Sequence, residues 1–415
     1  MRICFIADAR SPIARNWIAH FIARRCEVHV ISSYPCAPGA LAGAAVYEAP
    51  VAFAGFSRSS PRRRSNAPTD APPATTGLRG RAFRALSMAV QHGVLPLAVD
   101  RRLEQVRRLV EEIGPDLVHA MRIPFEGILA ARATPWAVPL LVSVWGNDFT
   151  LWAARNPLIA RQTRQTLRRA DALHTDCRRD LALAVEAWGF DAKKLAAVLP
   201  GAGGVQTSHF HADAPDAELR RQFNIIEDAP VIINPRGVRS YVRNDMFFAA
   251  IPAVLKKHPR AVFLCVAMQG NAMAEKSVKR FGITENLRLL PQVKREEMPG
   301  LFRLAQVAVS PSLHDGTPNT LLEAMACGCL PVAGRIESVG EWIEDGVNGL
   351  LCDATNVESL AKAMIRALDD EPLRRAGREH NRRLITARAE YNRVMQQAED
   401  FYQQIIARQL PATKA

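Results

Sequence analysis

Short apolar runs alternate with amphipathic stretches along most of the chain. In the first half ICFIA (3–7) is followed by helical spacing around Asn16 to Arg25 and then by VHVIS (28–32). DLVHAM (116–121), LLVSV (140–144) and ALHT (172–175) come later, each with a helical pattern behind it. Strands alternating with helices predict a doubly wound parallel sheet, in which strands covered on both faces read as continuous apolar runs. Periodicity disappears over GAGGVQTSHFHADAPDAELR (201–220), which marks a hinge. A second series follows: VIINPRG (231–237), VFLCVA (262–267), LRLLP (287–291), VAVSPS (307–312), LPVAG (330–334) and GLLCD (349–353). The expectation is two α/β domains, 1–205 and 206–385, with a long helical pattern over roughly 382–408 closing the chain.

Composition narrows the function. With 415 residues, 48% hydrophobic and 23% charged, the chain is long enough for two cores and is ordinary for a globular protein. The first apolar run ends at Asp8, too short for a secretory signal, and the most lipid-like window, 82–99, is broken by Arg84, Gln91, His92, Gly93 and Pro96. A cytoplasmic location is therefore expected. The net charge of +13 invites a nucleic-acid reading, but no aromatic-interleaved basic motif is present, and no Lys occurs before Lys193. The local excess is real: Arg58, Arg62, Arg63, Arg64, Arg79, Arg81, Arg84, Arg101, Arg102, Arg107 and Arg108 face only Asp70, Asp100 and Glu104. Residues 58–81, rich in Pro, Ser and Thr, predict a mobile basic loop that could rest on an anionic membrane surface or simply be solvated. The eight cysteines lack the paired spacing of a zinc site, so no metal is expected, and His209 and His211 make a poor one. His119 and His174 follow apolar strands and read equally well as satisfied core residues.

The stretch DGTPNTLLEAMACGCLPVAG (315–334) carries the most chemistry. A strand, VAVSPS, runs into a turn at Gly316, Thr317 and Pro318, and a helix then continues to Gly328. Thr317 is expected to cap it, leaving the N–H groups of Asn319, Thr320 and Leu321 to face an anion, most economically a phosphate. Asp315 lies before the turn and Glu323 within the helix. Carboxylates beside an anion serve better as acceptors for hydroxyls attached to it than as ligands of it. A nucleoside diphosphate sugar has that layout, with an anionic middle and a sugar ring at each end. The spacing Thr320 to Glu323 also fits a capping box, in which Glu323 would serve only the backbone.

Asp315, seven residues, Glu323, then AMACGCLPVAG resembles the signature of the family 4 retaining glycosyltransferases of GT-B architecture, which has Glu at both ends. ESVGEWIEDGVNGLL (337–351) resembles the tail of that signature. ADARSPIARNW near the N-terminus, HAMR (119–122), VSVWGND (142–148) and NPRGVRSYVRND (234–245) resemble one bacterial branch. The resemblance implies two Rossmann-like domains facing across a cleft, with acceptor in the first and nucleotide sugar in the second, and a terminal helix (386–415) crossing back to the first. It also implies that Glu323 binds the donor's ribose, that Asp315 meets the transferred sugar with one methylene less reach, and that Arg236 holds the diphosphate. Arg243 falls two residues beyond the family's usual lysine, and Asp148, in the WGND turn, is a further donor contact.

No Asp-x-Asp is present for metal-bound diphosphate, so arginines and helix N–H groups must carry the leaving charge. The activity implied is transfer of a sugar, with retained configuration, from a nucleotide sugar to a hydroxyl on a glycan, lipid-linked or small-molecule acceptor, in cell-envelope or extracellular glycan synthesis. A non-catalytic nucleotide- or glycan-binding protein and a nucleotide-sugar epimerase share that architecture.

Overall fold

The computed structural model describes residues 1–37, 39, 41–51, 99–239 and 241–409. The basic segment 58–81 and most of the lipid-like window 82–99 lie outside the described residues. The chain divides into two compact units: the described residues up to Gly204 with those from Asn392 on, and Val205–Tyr391.

In the N-terminal unit the elements run β1 (Arg2–Ala7), α1 (Pro12–Ala23), β2 (Glu27–Ser32), β3 (Ala45–Glu48), α2 (described over 99–113), β4 (Leu117–Ala120), a π-helical turn (Ile123–Gly127), α3 (Ile128–Ala133), β5 (Leu140–Val144), α4 (Pro157–Arg169), β6 (Ala172–Thr175), α5 (Arg178–Glu186) and β7 (Leu195–Val198). Seven strands pair in the order β3-β2-β1-β4-β5-β6-β7, and every pairing is parallel. β1 shows why the apolar runs are continuous. Cys4 and Ile6 enter one core, while Phe5 faces the other side and meets Phe21 of α1 at 5.9 Å. Ser11 caps α1, its hydroxyl accepting from Ala14 N–H with Pro12 in the first turn.

The C-terminal unit runs α6 (Ala217–Gln222), β8 (Val231–Asn234), α7 (Asn244–Lys257), β9 (Val262–Cys265), α8 (Ala272–Phe281), β10 (Leu287–Leu289), α9 (Met298–Leu304), β11 (Val307–Ser310), α10 (Asn319–Ala326), β12 (Leu330–Gly334), α11 (Glu337–Gly340), β13 (Leu350–Cys352), α12 (Val357–Asp369) and α13 (Glu371–Arg388), and α14 (Tyr391–Gln409) follows. Six parallel strands pair in the order β10-β9-β8-β11-β12-β13. Alternation sorts the strand residues into two cores: Val231, Ile233, Val262, Leu264 and Ala308 on one face, Ile232, Phe263, Cys265, Val307 and Val309 on the other.

The closing helical pattern is not one helix. It breaks at Ala389–Glu390, where Val205 N–H donates to Ala389 O and Tyr391 N–H donates to Val205 O, so a bridge to a distant segment outcompetes helical continuation. From Asn392 the chain belongs to the N-terminal unit, held there by a buried polar chain through Tyr402. Burial presses the pKa of His174 down to about 4 and that of His119 below its usual value, so both rings are neutral. His174 Nε2–H donates to Leu199 O (2.8 Å), which makes Nδ1 the acceptor for Ser143 O–H (2.7 Å). Ser143 Oγ in turn accepts from His119 Nε2–H (2.6 Å), His119 Nδ1 accepts from Tyr402 O–H, and Tyr402 accepts from Trp17 Nε1–H (3.0 Å). Every polar atom in the series is satisfied in one direction, and both histidines are core residues.

Candidate functional site

In the C-terminal sheet the chain leaves β8 toward β9 on one side, while β11 leads toward β12 on the other. Adjacent strands whose connections diverge open a crevice at their carboxyl ends, the usual ligand position in such sheets. Two loops meet there. The loop after β8 is braced by Asn234, whose Oδ1 accepts from Arg236 N–H (3.1 Å) and whose Nδ2 donates to Asn244 Oδ1 (2.9 Å). The loop after β11 is tied to it by Leu313 N–H donating to Tyr241 O at 2.8 Å. Arg236 Nη1 donates to Asp315 Oδ2 across the crevice, and the two side chains keep 15% and 13% exposure. The backbone at Asp315 is fixed by Ser338 Oγ donating to Asp315 O at 2.7 Å. A Cβ at Gly334, which ends β12, would lie 2.2 Å from Ser312 O, so this strand end admits only glycine if the loop is to pass.

The tip of α10 departs from expectation. Pro318, not Thr317, occupies the cap position, and no side chain caps the helix. Thr317 Oγ1 is instead the acceptor for Trp342 Nε1–H (3.1 Å), which seats the buried turn at Gly316 and Thr317 against the 337–342 segment. Of the three N–H groups expected to face an anion, Asn319 donates to Thr317 O and Leu321 to Pro318 O, because the entering turn closes tightly on itself. Thr320 N–H alone remains without a backbone acceptor among the described residues. The tip is a weaker anion holder than the sequence suggested, and the arginines matter correspondingly more.

Glu323 does not form the capping box. Its Oε1 accepts from Arg295 Nε (3.0 Å) and Nη2 (2.8 Å), Arg295 standing in the helical turn after β10. Burial pushes the Glu323 carboxyl above its usual pKa and the guanidinium pulls it back, with burial the larger effect. Arg295 was not foreseen, since it sits in a charged run, KREEM, whose spacing carries no signal, and its pairing spans 28 residues. Arg243 begins α7 with a left-handed backbone (φ 51°), and its guanidinium is forked onto Asp245 at 2.9 Å through both Nε and Nη2. It does not join the Arg236–Asp315 pair, although it feels Asp353. Asp353 lines a pocket of about 440 Å³ at the carboxyl ends of β11, β12 and β13, together with Ser312, Leu313, Arg335, Ile336 and Ala354.

Asp148 belongs to the other unit. It is 1% exposed, and its carboxylate accepts from Ile123 N–H and Trp145 N–H (3.3 Å each) and Arg122 Nε (3.4 Å), which commits it to holding its own turn. Among the described residues one group brings potential metal ligands together, Asp176, Cys177 and Asp180. Arg179 already donates to Asp180 Oδ1 through Nε (2.9 Å) and Nη2 (2.7 Å), so a cation there is the guanidinium.

Known glycosyltransferases resemble both halves of the chain. Residues 215–384 match the model of the group 1 glycosyl transferases, and residues 11–201 match the glycosyl transferase 4-like domain. The D-inositol 3-phosphate glycosyltransferase of Geodermatophilus obscurus is 27% identical over 263 residues, covering 58% of this chain and 57% of that protein. That of Salinispora arenicola is 24% identical over 265 residues, covering 58% of each. The chain thus spans less than two thirds of the length of these curated relatives. Among solved structures, a sucrose-phosphate synthase from Thermosynechococcus elongatus superposes with a TM-score of 0.73 at 16% identity, covering 98% of this chain and all of that one. Anabaena Alr3699/HepE, solved in complex with UDP-glucose, gives 0.71 at 15% identity, covering 97% of this chain and all of that one. With both halves matched by glycosyltransferase models and both sheets wound as in these neighbours, the chain belongs to the family 4 glycosyltransferases and has the GT-B fold.

Proposed function

We propose that the protein moves a sugar from a nucleotide diphosphate sugar to a hydroxyl acceptor with retention of anomeric configuration, in the synthesis of a cell-envelope or extracellular glycan. The observation that carries this reading is the meeting of Arg236 and Asp315 at the switch point of the C-terminal sheet. A guanidinium and a carboxylate there offer a diphosphate a planar cationic fork and a sugar ring an acceptor, side by side. When donor binds, Arg236 turns from Asp315 to the diphosphate oxygens and Asp315 is released to the hydroxyls of the transferred sugar. The bond from the anomeric carbon to the diphosphate breaks, and the acceptor oxygen bonds to that carbon from the same face. The acceptor's proton goes to the departing phosphate oxygen. Negative charge grows on the leaving group and is met by Arg236 and Thr320 N–H, with Arg243 joining them when it turns from Asp245. Glu323 accepts from the ribose hydroxyls.

The neighbours' complexes with UDP and UDP-glucose support a nucleotide sugar as donor, and the relatives' names support a hydroxyl acceptor carried by a small polar molecule. No metal is assigned a role. No described helix is long and apolar enough to cross a membrane. Attachment to the inner face of a membrane through the basic segment belongs to the same proposal. The test is release of nucleoside diphosphate from UDP-, GDP- and ADP-sugars by the purified chain, with and without simple sugar acceptors. Turnover of one donor that is lost in Arg236→Ala supports the reading. Tight nucleotide binding without turnover, or an epimerised sugar nucleotide in the absence of acceptor, contradicts it.

A further inference from the structure

Glu323 is 8% exposed, and a carboxylate so placed in a helix packed into one of the C-terminal cores is costly to keep charged. Its neighbours on α10 are apolar: Leu321, Leu322, Ala324, Met325 and Ala326 are all buried. The one cation bonded to it comes from another element. Arg295 stands just after β10, 30% exposed at its side chain, with its guanidinium 5.4 Å above the ring of Phe210 and both of its contacts to Glu323 converging on Oε1. The second oxygen, Oε2, is left for another donor. A carboxylate with one oxygen clamped by a fixed cation and the other open is suited to accept from a pair of neighbouring hydroxyls, provided that it stays ionised.

We propose that Arg295 is the positioning residue of the donor site: it holds Glu323 ionised and turned so that Oε2 receives the ribose hydroxyls of the nucleotide. This rests on the reading of Glu323 given above, but it makes a separate claim, that the charge of Arg295 rather than its bulk sets nucleotide affinity. Without that charge, burial alone acts on Glu323, its proton affinity rises further, and the neutral acid becomes a competing donor instead of an acceptor. Cys327, which ends α10 one turn on from Glu323, feels Glu323 and is reached by Arg303 of α9 and by Asp213. Arg378 of α13 donates to Gly328 O, and Tyr391 feels Arg295.

Affinity for UDP, GDP and ADP is measured by calorimetry from pH 6 to pH 8.5 on the full chain, for wild type, Arg295→Met, Arg295→Lys and Glu323→Gln. Dividing each variant's affinity by the wild-type value at the same pH cancels the nucleotide's own titration. Arg295→Met is expected to lose several-fold more affinity at pH 6 than at pH 8.5, the loss shrinking as rising pH ionises Glu323. Arg295→Lys restores affinity, and Glu323→Gln shows a loss that does not vary with pH. A pH-independent loss in Arg295→Met, or no loss, overturns the assignment of Arg295 while leaving the donor site standing. If wild type binds none of the three nucleotides, the donor-site reading itself falls, and this inference with it.

Discussion

At the switch point of the C-terminal sheet two carboxylates, Asp315 and Glu323, are each met by an arginine from a different loop and keep 13% and 11% side-chain exposure. Around the switch point of the N-terminal sheet, between β1 and β4, Asp8 is forked by Arg10 of its own loop, and two further acids are sealed. Glu126 is 2% exposed, one oxygen accepting from Ser33 Oγ at 2.5 Å and the other without a partner among the described residues, and Asp148 is held by backbone N–H groups and Arg122. Both sheets have the same winding, so winding alone does not make a site for a charged ligand. Exposure distinguishes one end from the other: Asp315 and Glu323 stay partly open beside their arginines, whereas Asp148, although Arg122 reaches it from another loop, is 1% exposed. The N-terminal unit puts its polar groups to structural use instead, most plainly in the one-way series from Trp17 through Tyr402, His119, Ser143 and His174 to Leu199.

Several substitutions break this contrast at chosen points. The largest effect is expected from Arg236→Ala, which removes the cation from the leaving group and should slow turnover by on the order of a hundredfold or more, read as kcat with the preferred nucleotide sugar. Unchanged kcat would remove Arg236 from the chemistry. Next, Glu126→Gln tests the sealed acid. Burial raises the Glu126 pKa from 4.5 to about 7, with Arg122 opposing. Between these values the unfolded chain gives up its proton while the folded one keeps it, so stability falls as pH rises through this window. Above pH 7 the cost is complete, at about 3 kcal/mol. Glu126→Gln should therefore melt roughly 5 °C or more above wild type at pH 8 and level with it near pH 4.5. Equal melting temperatures at both pH values would show that Glu126 is charged at no cost.

Gly334→Ala, which drives a Cβ into Ser312 O, should cost about 1–3 kcal/mol in the C-terminal unit and displace the Asp315 loop. Denaturant unfolding and donor KM together check it, and a stable variant with normal KM would show that the loop yields. The smallest effect is expected from Tyr402→Phe, which leaves His119 Nδ1 and Trp17 Nε1 unpaired and should cost about 1–2 kcal/mol without changing nucleotide affinity. A large loss of affinity would mean that the buried series is part of the nucleotide site.

Much of the fold was legible in the chain, and the exceptions share a cause. β5, β6 and β12 coincide with the apolar runs LLVSV, ALHT and LPVAG, because central parallel strands are covered on both faces. β3 and β7, the two edges of the N-terminal sheet, were missed, since AVYE and LAAV are short runs and edge strands are only half covered. The interruption at Ala389–Glu390 has neither proline nor glycine to announce it, being set by the bridge to Val205. At the site, the resemblance pointed to Arg236 and the end of a strand to Asp315, and the loops after these neighbouring strands converge so that the two meet. The cap of the helix tip and the partner of Glu323 were not readable locally: closure of the Thr317–Pro318 turn and the reach of Arg295 are tertiary facts that spacing does not encode.

Hydrogen–deuterium exchange of the full chain with and without saturating nucleoside diphosphate tests the central claim most directly. The account predicts slowed exchange in the two loops of the C-terminal switch point, 235–243 and 313–321, and no change over 120–128 after β4. Protection confined to the N-terminal crevice, or nucleotide binding with both C-terminal loops unaffected, would contradict it.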